Sequence, residues 1–273
     1  MKNKINVLSL QFTPIKADKL ANIEKAKKLI IENGQNKYDL IVFPEFFDTG
    51  INLSNKEIFD YAEIENSSIV LQELSKLAKQ YDSYVHCGSI CFKENSKIYN
   101  RAYFLDRNGD IIAKYDKIHL FNYLGGNEGT YTTAGDKLCI VETDFGKIGL
   151  TTCFDTRFPE MFTKLTKMGA ELFVIPAAWL MLKNSSKKQK DLYVNNWQLM
   201  LKARAYDNLA FVVSANEFGD VHPMLDGIGY SMIIDYEGCV LSQADDRECA
   251  IYQEIDFSLL RKARAKFPID KIN

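Results

Sequence analysis

One cysteine in this chain stands where a nucleophile could work. In FGKIGLTTCFDTRFPE (residues 145–160), a strand-like run over Lys147–Thr152 leads directly into Cys153, and Pro159–Glu160 then opens a helix. A thiol at such a strand end can be held rigidly while free backbone N–H groups face the space in front of it. Two distant stretches place a charged side chain in the same kind of setting. Glu45 follows Pro44 in IVFPEFFDTG (41–50), and Lys117 precedes Ile118–Phe121 in KYDKIHLF (114–121). A charge flanked by apolar residues at a strand end costs free energy unless it has partners or a task. A carboxylate beside a thiol can take its proton, and a lysine favours both the thiolate and the oxyanion formed by attack on a carbonyl or nitrile carbon. Singly, each residue also has an ordinary reading: a capping glutamate, a flanking lysine, a core cysteine. The three lie far apart in sequence, so residue type alone leaves both readings open.

The elements that must position these residues follow from periodicity. Lys4–Gln11 alternates and predicts a strand, and Lys19–Glu32 carries Ile23, Ala26, Leu29 and Ile30 at helical spacing. Tyr38–Phe43 is a continuous apolar run ended by Pro44, as in a buried central strand. Ser67–Gln80 predicts a second helix and Ser83–Ile90 one strand. Ile98–Leu105 and Asp110–Tyr115 flank a hairpin turn at Asp106–Gly109. A Gly-rich loop follows Phe121 and is too long to be a mere connection. Leu138–Glu142 and Lys147–Thr152 form a hairpin, Pro159–Met168 a helix and Glu171–Pro176 a buried strand. Lys183–Asp191 reads as a polar surface insertion or lid ahead of a helix over Leu192–Tyr206. Strand Leu209–Ala215, a loop over 216–226 and strands Gly229–Tyr236, Cys239–Ser242 and Cys249–Ile255 come next, then a helix capped by Asp256. Strands alternating with helices and interrupted by hairpins predict an α+β fold, with two mixed sheets packed on one another and helices outside.

The totals exclude several classes. A length of 273 residues suits one large core, and no composition shift marks a linker, so residues 1–273 are expected to form a single domain. The net charge of -2, without acidic or basic tracts, argues against a nucleic-acid partner. No run approaches a membrane span or the core of a signal peptide, so a cytoplasmic protein is expected. The six cysteines and three histidines show neither disulfide nor metal-ligand spacing, and no GxGxxG or phosphate-binding Gly-Lys-Ser/Thr element occurs. Neither cofactor nor metal is expected.

FPEFFDTG, KYDKIHLF and GKIGLTTCFDTRFPE together, in that order and spacing, resemble the three signature blocks of the nitrilase superfamily of carbon–nitrogen hydrolases. The resemblance runs from the first strand to the last helix and includes WQLMLKARAYDNLAFVVSAN and GYSMIIDYEGCVL. It implies a four-layer α-β-β-α sandwich of two mixed six-stranded sheets, with Cys153 as nucleophile, Glu45 as general base and Lys117 as oxyanion stabiliser. By its distance from Ala134-Gly135, Glu128 matches a second family glutamate that positions substrate and Lys117. The backbone N–H of Phe154 is the implied partner of Lys117 at the oxyanion, while Arg157 and Glu160 are expected to fix the turn and helix start. Phe154 departs from the tyrosine more usual in this branch.

KIHLF, CFDTRFPE, PAAWL and the chain length resemble the Nit-like and omega-amidase branch. The implied substrate is a small amide of the 2-oxoglutaramate or 2-oxosuccinamate type. Alternatives are a Nit-type amidase on deaminated glutathione, a carbamoyl amidase, a nitrilase on a small nitrile and, remotely, a catalytically silent binding protein. The absence of an extra domain argues against fusion to a synthetase. Trp179, Tyr123 and Tyr131 are candidates for the pocket wall, each with a core reading beside it, as is Trp197. An acid substrate calls for a cation or several N–H donors opposite its carboxylate, and the sequence singles out none, since Arg157 and Arg204 both have structural readings. His119 is expected to pack beside Lys117. The family implies a homodimer or higher assembly, which FPIDKIN at the C-terminus could bridge.

Overall fold

A computed structural model describes residues 1–35, 37–123 and 126–271. The chain begins with strand β1 (Lys4–Gln11), helix α1 (Lys19–Glu32) and strand β2 (Leu40–Val42). Asp18 caps α1 by accepting from the Ala21 N–H. A short helix α2 (Asn55–Tyr61), which periodicity did not mark, is closed by a capping box between Ser54 and Glu57. Helix α3 (Ile69–Tyr81) precedes strands β3 (Tyr84–His86), β4 (Ile90–Glu94), β5 (Lys97–Leu105) and β6 (Ile111–Asp116). Then come the hairpin β7 (Cys139–Glu142) and β8 (Lys147–Leu150), helix α4 (Pro159–Lys167), strands β9 (Leu172–Ala177) and β10 (Leu180–Leu182), and the long helix α5 (Lys187–Asn208). Strands β11 (Phe211–Asn216), β12 (Phe218–His222), β13 (Leu225–Ile228), β14 (Met232–Ile234), β15 (Val240–Gln243) and β16 (Cys249–Asp256) lead to helix α6 (Phe257–Lys266), capped by Asp256 as expected.

Two large mixed sheets face each other. The first runs β16-β1-β2-β3-β5-β4 with β6 on β5, and the second β15-β14-β11-β9-β8-β7. Each has three parallel strands at its centre (β1, β2, β3 and β11, β9, β8) and antiparallel strands outside them. Period-two alternation sorts the side chains of β1. Ile5 and Val7 join Leu40, Val42, Leu150 and Val174 in the core between the sheets, while Leu8 and Leu10 turn outward with Ile41 to α1 and α3. The helices bury matching stripes, among them Ile23, Ala26 and Ile30 of α1 and Val70, Leu74 and Leu77 of α3. On the far side Phe162 and Leu165 of α4 and Trp197, Leu201 and Ala205 of α5 cover the second sheet.

The four-layer α+β sandwich is therefore the observed architecture, with three corrections among the described residues. The first sheet contains seven strands rather than six, because the expected strand over Ser83–Ile90 is broken at Cys87–Ser89. His86 pairs with Phe104 and Ile90 with Arg101 on the same edge of β5, so β3 and β4 occupy one strand position around a one-residue bulge. Gly88 causes the break: its φ is +66°, and a Cβ there would stand 1.8 Å from the Pro44 carbonyl oxygen. Second, the expected loop over 216–226 is the β12–β13 hairpin, which forms a three-stranded sheet with β10. Third, the expected insertion over Lys183–Asp191 runs into α5 itself, whose first turn is set by Ser186 and Gln189 in a capping box.

Candidate active site

Glu45, Lys117 and Cys153 meet at the ends of β2, β6 and β8, in the seam between the two sheets. All three are buried, with Cys153 7% exposed. Lys117 Nζ lies 2.9 Å from Glu45 Oε1 and 2.8 Å from Glu128 Oε2. Asn100 of β5 donates through Nδ2 to the same two carboxylates, at 2.8 Å to Glu45 Oε1 and 2.8 Å to Glu128 Oε1. The Ala178 N–H, one residue past β9, donates to Glu45 Oε2 at 2.8 Å, and the Phe121 N–H to Glu128 Oε2 at 2.8 Å. Three donor groups and the shared ammonium thus hold the two buried carboxylates, the arrangement that buried charge requires. Burial works to lower the pKa of Lys117, but Glu128, Glu45 and the Cys153 side outweigh it and hold the ammonium well above the ordinary lysine value.

Local backbone forms explain why these side chains converge. Cys153 has φ 47°, in the left-handed region that a non-glycine residue adopts only under constraint, and it opens a 3₁₀ turn over Cys153–Arg157. The constraint is Asp155, which is fully buried. Its Oδ2 accepts from the Thr152 N–H at 2.9 Å and from the Tyr115 hydroxyl at 2.6 Å, and its Oδ1 from the His119 N–H at 3.0 Å. One carboxylate therefore ties the elbow before Cys153 to the segment just after Lys117. Phe46, after Glu45, has φ 49°, and the Gly50 N–H closes back onto its carbonyl at 2.7 Å. Glu128 is carried by a 3₁₀ turn (Glu128–Thr130) in the Gly-rich loop, which returns to β6 where the Gly135 N–H donates to the Lys117 carbonyl at 2.9 Å. Leu124 and Gly125 of that loop lie outside the described residues.

Burial pushes the Cys153 thiol well above its ordinary pKa, the Glu45 carboxylate pushes it further, and Lys117 pulls it back. The resting sulfur is therefore a thiol with a base beside it rather than a free thiolate. The set can take a proton from sulfur, place a cation beside a developing oxyanion and return the proton to a leaving group. Phe154 is the second residue of the 3₁₀ turn, where a backbone N–H has no acceptor within the turn.

The remaining candidates divide. Tyr123 is 61% exposed with its ring 5.7 Å from that of Phe154, at the rim of the site. Tyr131 lies near Glu128, with its hydroxyl held protonated by burial and then by that carboxylate. Trp179 directly follows Ala178, and its ring packs at 4.9 Å on Trp197, which is a core residue with Nε1 on the Tyr230 carbonyl. Asp155 holds the turn, and Arg157 is an exposed residue whose guanidinium carbon stands 5.4 Å from the centre of the Trp179 ring. Arg204 is spent structurally, donating through Nε to the Thr156 carbonyl. His119 stacks on Phe158 at 3.5 Å and bonds Asp155 through Nδ1 at 2.7 Å, so its partner is the elbow carboxylate. Asn100 and the Ala178 N–H were not read from sequence. An asparagine facing the interior of a strand was the available signal, and an alanine N–H offers none.

The fold and the cluster define a class. This chain belongs to the carbon-nitrogen hydrolases, whose family model matches residues 7–265. It is a hydrolase of amidase type in the Nit-like branch of the nitrilase superfamily. It is 32% identical to a 2-oxoglutaramate amidase of Bacillus subtilis over 97% of this chain and 96% of that enzyme. It is 30% identical to a deaminated glutathione amidase of Dictyostelium discoideum over 98% of this chain and 94% of that enzyme. Among solved structures, Saccharomyces cerevisiae Nit3, a member of branch 10 of the superfamily, superposes with a TM-score of 0.85 at 28% identity, covering 98% and 96% of the two chains.

Proposed function

We propose that the chain hydrolyses the terminal amide of a small carboxylate substrate, of the 2-oxoglutaramate or 2-oxosuccinamate type, to the acid and ammonia. The observation that carries this reading is the closed cluster of Cys153, Glu45, Lys117 and Glu128, with the guanidinium of Arg157, an exposed residue, over the ring of Trp179, which follows Ala178. Glu45 takes the Sγ proton and the sulfur attacks the amide carbon. Lys117 Nζ and the Phe154 N–H hold the oxyanion of the tetrahedral intermediate. Glu45 then protonates the nitrogen, the C–N bond breaks and ammonia leaves a thioester on Cys153. Glu45 next removes a proton from water, the resulting hydroxide attacks the thioester, and the C–S bond breaks as Glu45 returns the proton to sulfur. Glu128 holds Lys117, and Phe154, Trp179, Tyr123 and Tyr131 border the space for substrate. Arg157 takes the place of carboxylate anchor that Arg204 is too engaged to fill.

A homodimer belongs to the same reading. Leu192, Leu199 and Tyr206, two helical turns apart on α5, form an exposed stripe opposite the buried Trp197, Leu201 and Ala205, and a second copy would cover it.

The test is ammonia release against 2-oxoglutaramate, 2-oxosuccinamate, deaminated glutathione, glutamine, N-carbamoylputrescine and an aliphatic nitrile. Turnover confined to the first two is expected. Turnover of deaminated glutathione alone would keep the catalytic roles and move the substrate to a longer, more polar amide. No turnover of any amide would overturn the reading.

A further inference from the structure

Near Glu45 stands a carboxyl group that the reaction as written does not use. Glu217 follows β11 and is 0% exposed, and neither carboxyl oxygen has a hydrogen-bond partner among the described residues. Its backbone places it beside the catalytic wall. The Glu217 N–H donates to the Ala177 carbonyl at 3.0 Å, and the next residue, Ala178, supplies the N–H that holds Glu45 Oε2. The positions packed on it from other strands are Phe12 at the end of β1, Ala177 of β9, Gly227 of β13 and Gly229 beyond it, none of them titratable. The ionisable groups that face it come from one segment, Glu45 and the buried Asp48. Asp48 in turn faces Lys19 of α1 and Glu63.

A carboxylate stripped of water and given no donor is among the costliest groups a protein can bury, so such a group keeps its proton. Glu45 has three donors and Glu217 has none, so Glu217 is the one of the two that nothing around it helps to ionise.

We propose that Glu217 is a positioning residue for the amidase reaction: as an uncharged acid it adds no further negative charge beside Glu45, and its ionisation shuts the site. This rests on the reading of Glu45 as the base that takes the Cys153 proton. Burial, then Glu45 and Asp48, hold Glu217 well above the usual carboxylate range, so its charge appears only well above the pH at which an ordinary carboxyl ionises. A negative charge there, beside Glu45, opposes the further charge of the thiolate that Glu45 must create.

The experiment compares pH profiles of kcat/KM for the wild type and Glu217→Gln, which keeps size and shape but cannot ionise. The rate of Cys153 alkylation by iodoacetamide against pH, which needs no substrate, is measured on both proteins. The wild type is expected to lose activity on the alkaline side. Glu217→Gln is expected to extend that limb upward by about one pH unit or more and to lower the pH at which Cys153 becomes reactive. Should Glu217→Gln fail to fold, Glu217→Met carries the same comparison. Superimposable profiles, or a loss of rate equal at every pH, would overturn the proposal while leaving Glu45 as base. An inert Cys153 with no turnover in the wild type would instead overturn the reading on which it rests.

Discussion

Lys117 is the residue on which the site turns, because it is the ammonium shared by two buried carboxylates. Truncating one member of a buried ionic set leaves the others unpaired and is far more destabilising than the set itself is stabilising. Lys117→Ala is therefore expected to cost about 3–5 kcal/mol of stability as well as activity, read from urea unfolding and ammonia release. Cys153→Ala and Glu45→Gln remove no ammonium and should stay folded. Each should lower kcat by at least about three orders of magnitude, and a variant keeping more than a few per cent of turnover would remove that residue from its role. Asn100 touches both glutamates but no reacting atom, so Asn100→Ala should lower kcat by about tenfold to a hundredfold through misplacement, with a smaller change in KM.

At the scale of elements, strand ends do the positioning, and small backbone irregularities aim them. The left-handed residues Phe46 and Cys153 each stand at or beside a member of the cluster, and Gly88 lets the β3–β4 break approach the Pro44 carbonyl. Gly88→Ala meets both a positive φ and a carbonyl at 1.8 Å, so Pro44 and with it Glu45 must move. A loss of about 2 kcal/mol or more in thermal unfolding, together with lowered kcat, is the expected result. His86 in β3 is buried neutral, its Nδ1 accepting from the Gly88 N–H at 3.1 Å, and burial lowers its pKa from 6.5 to about 3. Between those values the unfolded chain binds a proton that the folded chain refuses. Stability is thus full above the ordinary histidine value and falls, by an order of a few kcal/mol, as pH drops toward about 3. His86→Asn, which keeps an acceptor for Gly88, should flatten that acid slope in melting curves taken across the window.

For the whole molecule, the two sheets divide the work, the first supplying Glu45, Asn100 and Lys117 and the second Cys153 and the Ala178 N–H. The seam between them is therefore both core and site, and the second copy proposed for α5 would act on it only through the outer helix layer. Leu199→Lys puts a charge in the middle of the exposed stripe, far from Cys153 in the layered order. The wild type should elute as a dimer in size-exclusion chromatography with light scattering, and Leu199→Lys as a monomer. A wild type that is monomeric at micromolar concentration would end the dimer proposal. No helix among the described residues is long and apolar enough to cross a membrane.

The sequence by itself determined the layered α+β class, most strand and helix positions and, through three motifs, which residues would meet. The elements are local properties, periodicity of burial and caps such as Asp256, while the meeting of Glu45, Lys117 and Cys153 was implied by the family resemblance of the three motifs and not by residue type. The tertiary structure alone decided how β3 and β4 share one strand position, that residues 216–226 pair as a hairpin, and that α5 begins at Lys187. It also showed Arg204 engaged with the Thr156 carbonyl, and placed Asn100 between the two glutamates, Asp155 at the elbow and Glu217 beside Ala177. The reason is physical. Hydrogen-bond partners are set by which strand ends lie opposite one another across the seam, and an asparagine or glutamate in a strand looks the same in sequence whether it faces water, a carboxylate or nothing.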